Sequence, residues 1–131
     1  MALEFDANRR LFRVTLEGNV DIAQCLEILA ALLAHPNFEP GIPAIWNAMD
    51  ADLSQLSFQD FQQMRAYQAR HSRERGRARI ALVAAGDLSF GMGRMVAQIA
   101  DLPHLEINVF RDVAAAEKWA LAPRTLPEFK K

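Results

Sequence analysis

Apolar and polar residues alternate strictly over residues 11–17, with Phe12, Val14 and Leu16 on one side and Arg13, Thr15 and Glu17 on the other. A period of two predicts a half-buried strand. Leu3-Glu4-Phe5 precedes it across the turn-forming Asp6-Ala7-Asn8-Arg9, so the pair reads as an antiparallel hairpin that ends at Gly18-Asn19. The period then changes. Over residues 21–34, Ile22, Cys25, Leu26, Ile28, Leu29, Leu32 and Leu33 cover more than half of a helix. Asp21 supplies its N-cap, Gln24 stands at the capping-box position, and His35-Pro36-Asn37 stops it. So wide an apolar face predicts burial against both a sheet and a neighbour, such as a second subunit.

The short apolar run 42–47 lies between Pro40-Gly41 and the acidic Asp50 and Asp52, and suits a buried parallel strand. Ser57, with Asp60 three residues on, starts a second helix whose apolar face runs Phe58, Phe61, Met64 and Gln68 toward an arginine-rich end. Gly76 is its natural stop. Residues 78–84 form a third core strand. Gly86-Asp87 turns the chain, Ser89 is placed to cap a third helix, and Met92, Met95, Val96 and Ile99 make one stripe for the core. After Pro103, residues 105–110 give the last strand. Asp112 caps a final helix that runs to about Leu121, with Val113, Ala116 and Ala120 inward. The order ββαβαβαβα implies an α/β domain on a mostly parallel sheet with right-handed crossovers. It occupies residues 1–122, and residues 123–131 are expected to form a loose tail.

Composition narrows the class. The chain has 131 residues, of which 51% are hydrophobic and 24% charged, an ordinary globular balance that excludes a disordered protein. A net charge of -1 argues against a dedicated nucleic-acid binder. One cysteine, Cys25, excludes an internal disulfide or a Cys-rich zinc site. The start MALEFDANRR lacks the basic and apolar regions of a signal peptide, and no apolar run approaches the roughly 20 residues of a membrane span. A soluble, cytoplasmic domain is the expectation.

Charge is unevenly distributed. Residues 1–64 carry three basic and nine acidic side chains, whereas residues 65–79 carry Arg65, Arg70, Arg73, Arg75, Arg77 and Arg79 against Glu74. Such a segment is either a patch for phosphate, nucleic acid or an acidic protein, or a solvated helix end whose cations complement the macrodipole or pair with the acidic half of a second subunit.

The Gly86–Arg94 stretch is a glycine-rich turn between a strand and a helix. Ser89, Gly91 and Arg94 there are candidate ligands for an anion, although the spacing matches neither a Walker loop nor a dinucleotide fingerprint. Asp50 and Asp52, at the C-terminal end of a strand, suit a cation site, an acid/base pair or, with no third ligand evident, a solvated loop. His35, His71 and His104 lie far apart, with no His-x-x-x-His pair, so no metal site and no cofactor are expected. Cys25 on its apolar helix face reads as a small core residue. Phe90, Met92 and Met95 suit either the core or a soft apolar surface for a lipid or a partner helix.

Three strings resemble the SpoIIAA-like (STAS) family, nearest the branch grouped with lipid-binding CRAL-TRIO domains in bacterial genomes. They are ARIALVAAGDLSFGMGRM (78–95), INVFRDVAAAEKWAL (107–121), and the opening hairpin with Gly18 and the apolar helix after it. The resemblance spans residues 3–121. It implies a mixed sheet of four or five strands, the first antiparallel, with about four helices. It also implies a mostly non-catalytic role. The family's anti-sigma-factor antagonists are switched by phosphorylation of a serine in an Asp-Ser-x-Gly turn at a helix start. The matching string here is Leu56-Ser57-Phe58-Gln59, without the Asp and the Gly. Ser57 aligns with the phospho-acceptor and is also a good helix N-cap.

The combined expectation is a non-enzymatic, regulatory domain, homodimeric, that binds a protein partner or a small apolar or anionic ligand. The rival expectations are a small enzyme that uses Asp50 or Asp52 with Arg94, and a phospho-regulated partner switch at Ser57.

Overall fold

The structure, a computed structural model, describes residues 2–100 and 102–123. The expected tail lies, past Pro123, outside the described residues. The hairpin forms as its alternation predicts, from β1 (Ala2–Asp6) and β2 (Leu11–Asn19), with Leu3 opposite Val14 and Phe5 opposite Phe12. Its turn is held by Asp6, whose Oδ1 accepts from the Arg9 amide at 3.0 Å and whose carbonyl accepts from the Arg10 amide at 2.7 Å.

β2, β3 (Ala44–Asp52), β4 (Ala78–Val83) and β5 (Leu105–Phe110) continue the sheet in parallel, in the spatial order β1-β2-β3-β4-β5. β3 runs longer than expected. A bulge between Thr15 and Glu17 lets β2 keep pairing past its alternating stretch, so Glu17 meets Asp50 and Asn19 meets Asp52. Asp50 and Asp52 therefore lie in a strand rather than in a loop.

The helices are α1 (Ile22–Ala34), α2 (Phe58–Arg70), α3 (Ser72–Arg75), α4 (Asp87–Ile99) and α5 (Val113–Leu121). The short α3, which ends at Gly76, is an addition to the expected order. α1 and α2 start with complete capping boxes. Asp21 and Gln24 exchange amide hydrogen bonds of 2.9 Å each, and Ser57 and Asp60 exchange bonds of 3.1 and 2.9 Å. Each box satisfies two otherwise orphaned donors. Asp112 Oδ1 caps α5 through the Ala115 amide at 2.8 Å.

One face of the sheet, from Phe12, Val14, Ala44, Trp46, Ala78 and Ile80, packs under α1 and α2. α4 lies on the same face, over Ile80, Leu82 and Ile107. The opposite face carries a smaller core, in which Leu11, Ile45, Ala81 and Val83 meet Ala116 and Ala120 of α5. The wide apolar face of α1 is used within the chain: Cys25, Ile28, Leu29 and Leu32 are buried, and Ile22, Leu26 and Leu33 pack against the same cluster. Its width needs no second subunit.

The arginine-rich segment does not form one patch. Arg75 is 3% exposed, donates to the Ile42 carbonyl at 2.6 Å, and lies 5.9 Å from the Phe38 ring. The backbone beside it is close-packed: Gly76 has φ 71°, and a Cβ on it would stand 2.9 Å from the Gly41 nitrogen. Arg79 bonds Glu106 at 2.8 Å and the carbonyls of Trp119 and Ala122 at 2.7 and 3.1 Å, and so holds the C-terminal end of α5. Arg73 and Arg77 are exposed.

Candidate functional site

The site is a cavity of about 100 Å³ between α2, α4 and the sheet. On α2 the wall is Phe61, Met64 and Gln68, spaced i, i+3, i+7 along one helical face. On α4 it is Met92, Gly93 and Val96, with Ala100 at the helix C-cap. Trp46, Ala48, Ile80, Leu82 and Ile107 form the floor, Cys25 and Leu29 of α1 the back, and Leu53 and Leu56 close the end nearest the start of α2. The void exists because facing positions are small: Ala48 in β3 and Ala84 just past β4, with Gly93 on α4 and Ala100 at its C-cap above. Natural cores seldom leave such space. At about 24 cal/mol per Å³, a void of this size costs on the order of 2 kcal/mol.

The wall is almost entirely apolar, and no charged side chain lines it. Three lining side chains among the described residues carry a polar group: Gln68 its amide, Trp46 its indole N–H and Cys25 its thiol. Burial, with Asp21 and Asp60 nearby, pushes that thiol up to about 11, so it stays protonated and is a poor nucleophile.

α4 is turned relative to the sequence expectation. Its cap is Gly86, with φ 78° and no side-chain cap bond, and Ser89 is the third residue of the helix rather than its cap. Met95 is 42% exposed and does not belong to the inward stripe. The side that meets the sheet carries Gly93, because a residue without a Cβ lets the helix come close to Val109. Met95, two positions on, is then about 200° around the helix. Phe58, expected on the apolar face of α2, is 58% exposed, because it is the first residue of that helix.

The remaining candidates are spread over the surface. Gly91 and Arg94 are exposed on α4, and the Arg94 side chain makes no hydrogen bond or ion pair among the described residues. Asp87, in the first turn of α4, pairs with Arg111 at 3.1 Å. Asp50 and Asp52 are exposed and make no bond to Arg94. Asp52 accepts from the Ser54 amide at 2.9 Å, and hydrogen bonds from the Ser54 side chain and backbone hold its carboxyl below the usual range. Ser57 is exposed at the start of α2 beside Phe58. Among the described residues no three of His, Cys, Asp and Glu gather as a metal site would need, and no helix is long and apolar enough to cross a membrane.

The comparisons agree with this architecture. The chain is similar to the crystal structure of an uncharacterised protein of the DUF3478 family, with a SpoIIAA-like fold, from Shewanella loihica PV-4. The TM-score is 0.59 and the sequence identity 20%, over 91% of this chain and 90% of that one. No family model matches the chain, and no curated protein sequence does. The fold is SpoIIAA-like: α/β, with a mixed five-stranded sheet and five helices, as the resemblance of the three strings implies. At this identity the likeness establishes the fold alone.

The cavity was not anticipated from the sequence. One signal for it was present, a glutamine at the Phe61–Met64–Gln68 face where the pattern calls for an apolar residue.

Proposed function

We propose that this protein is a non-enzymatic binding domain, and that the α2–α4 cavity takes the apolar part of a small molecule. The observation that carries this is the cavity itself: an unfilled, almost wholly apolar void of about 100 Å³ in an otherwise packed α/β layer. An enclosed apolar cavity of about 150 Å³ is enough to bind benzene. This one is smaller and partly open to the surface, so it takes a short alkyl chain or a small ring that stays partly exposed, a smaller occupant than those of pockets of about 300–1,000 Å³. Filling it would recover the packing that the void forgoes.

An anionic ligand at Ser89, Gly91 and Arg94 is less well supported. The Asp87 carboxylate stands in the same first turn of α4 and opposes a second negative charge there. The acid/base reading of Asp50 or Asp52 with Arg94 lacks a shared pocket. A homodimer loses the α1 face as its reason. Partner binding near Ser57 has one observation in its favour, the exposed Phe58 beside the capping serine.

The test combines native mass spectrometry of freshly purified protein with a titration of toluene, followed by methyl NMR at Met64, Val96 and Ile107. The wild type should bind toluene and show shifts at those methyls. Val96→Phe, which fills the cavity from α4, should abolish them and remove any co-purified small adduct. Equal toluene binding by both proteins, or none by the wild type, overturns the proposal.

A further inference from the structure

We infer that the outward face of α4 is where two copies of this chain meet, packed antiparallel across Gly91. Gly93 faces Val109 and so marks the side of α4 that meets the sheet. At about 100° per residue, Leu88, Gly91 and Met95 all fall within about 40° of the opposite direction. Their exposure agrees: Leu88 is 72% and Met95 42% exposed, and Gly91 between them is exposed too. Leu88 is the most exposed large apolar side chain among the described residues. Nothing within the chain calls for a glycine at 91. Its backbone is ordinary helix, and a Cβ there would meet nothing within 4 Å. A glycine nevertheless weakens a helix interior. With a large apolar residue on each side of it, this glycine makes a seat for a second helix at close range.

The charges beside this stripe select a second copy as the occupant. Asp87 and Arg94 lie on one flank of α4, about 20° apart around its axis, and their midpoint along the helix falls next to Gly91. A two-fold rotation that crosses two α4 helices there keeps that flank on the same side and reverses its direction. It sets Arg94 of each protomer against the partner's Asp87. It also brings Leu88 between the partner's Gly91 and the partner's Met95. The surface is thus self-complementary, as a symmetric contact requires. Both charges are available for it. The Arg94 side chain makes no hydrogen bond or ion pair among the described residues. Asp87, although paired with Arg111 at 3.1 Å, keeps 97% of its side chain exposed. α4 is about 20 Å long, so the contact is smaller than the roughly 1,200 Å² of a stable interface, and the dimer forms only at high protein concentration.

The experiment is analytical ultracentrifugation of the full chain from about 10 µM to about 0.5 mM, a range in which a weak interface becomes populated. The wild type should pass from monomer to dimer over this range, and less so in about 0.5 M salt, which screens the ion pairs. Gly91→Glu sets two like charges at the crossing and should keep the chain monomeric. Asp87→Arg alone and Arg94→Asp alone each place like charges together, and each should weaken self-association about ten-fold or more. Mixed in equal amounts, these two variants re-form both ion pairs in the heterodimer, and association should return to within about three-fold of the wild type. A wild type that stays monomeric at the highest concentration overturns the inference. A dimer that Gly91→Glu leaves intact overturns it too, because the contact would then lie on another face. So does a mixture of the two charge variants, each with the circular dichroism of the wild type, that associates no better than its components.

Discussion

A Cβ placed on Gly93 would stand 3.0 Å from Cγ1 of Val109. The contact explains why a glycine sits in the middle of α4, where it costs up to about 1 kcal/mol relative to alanine. It sets the distance between α4 and β5, and with it the height of the cavity roof. Gly91, two residues earlier, has nothing within 4 Å of its would-be Cβ.

The two glycines should therefore respond oppositely to alanine. Gly91→Ala should stabilise the protein by about 0.5–1 kcal/mol, through helix propensity and a less flexible unfolded chain. Gly93→Ala should lose that gain against the Val109 methyl. Val109→Ala should restore it in the double variant, a coupling that a double-mutant cycle of denaturant unfolding reads directly. Equal gains from both single substitutions would show that α4 is not seated on Val109.

Among the arginines, contact and not sequence density should decide the effect of substitution. Arg79→Met removes two hydrogen bonds to the carbonyls at the end of α5 and a cation–π contact of 5.2 Å with Trp119. It should lower stability by about 2 kcal/mol, since bonds to charged groups are the stronger kind. Arg73→Ala and Arg94→Ala alter exposed side chains and should stay within about 0.5 kcal/mol of the wild type. Thermal melts of the three variants test this.

What the sequence made legible was local. Asp21 with Gln24 and Ser57 with Asp60 could be read as caps because both partners lie within one helical turn. The alternation at residues 11–17 fixed the buried side of β2 for a similar reason. The rotation of α4 was hidden, because it depends on one missing Cβ meeting Val109, which is remote in sequence. Asp50 and Asp52 looked like loop residues because the bulge that extends their strand lies in β2. The arginines of residues 65–79 looked like a patch because density along the chain says nothing of which side chains turn inward, as Arg75 does. The cavity was the least visible feature. It arises where small residues from separate elements face one another, and no single element announces that.

Ser57 should behave as a cap in stability measurements. Its hydroxyl accepts from the Asp60 amide, and the Asp60 carboxylate accepts from the Ser57 amide. Ser57→Ala should cost about 1 kcal/mol, and Ser57→Asp should keep most of the stability, since aspartate caps as well. Denaturation midpoints for the two variants decide the matter. An equal loss for both would mean that the second carboxylate beside Asp60 outweighs the cap.

His104 gives the fold a pH dependence of a definite sign. Its backbone carbonyl accepts from the Ala78 amide at 2.9 Å, which fixes the segment before β5 to the start of β4. Its Nε2 is buried with no hydrogen-bond partner among the described residues. Burial first, and the Arg75 guanidinium second, favour the neutral ring and push the group below its ordinary 6.5. Below that value the unfolded chain takes up a proton that the folded chain resists, so stability is full above it and falls as the pH drops toward the lowered value. Asp6 titrates elsewhere. The Arg13 side chain first, and the Arg9 amide after it, hold its carboxyl below the ordinary 3.8, so its share is lost only in stronger acid. Urea unfolding of the wild type should therefore show a falling midpoint between about pH 7 and 5. His104→Gln, which cannot gain charge, should flatten that decline and leave the stronger-acid loss in place. An unchanged decline in the variant would show that the loss over this range comes from another group.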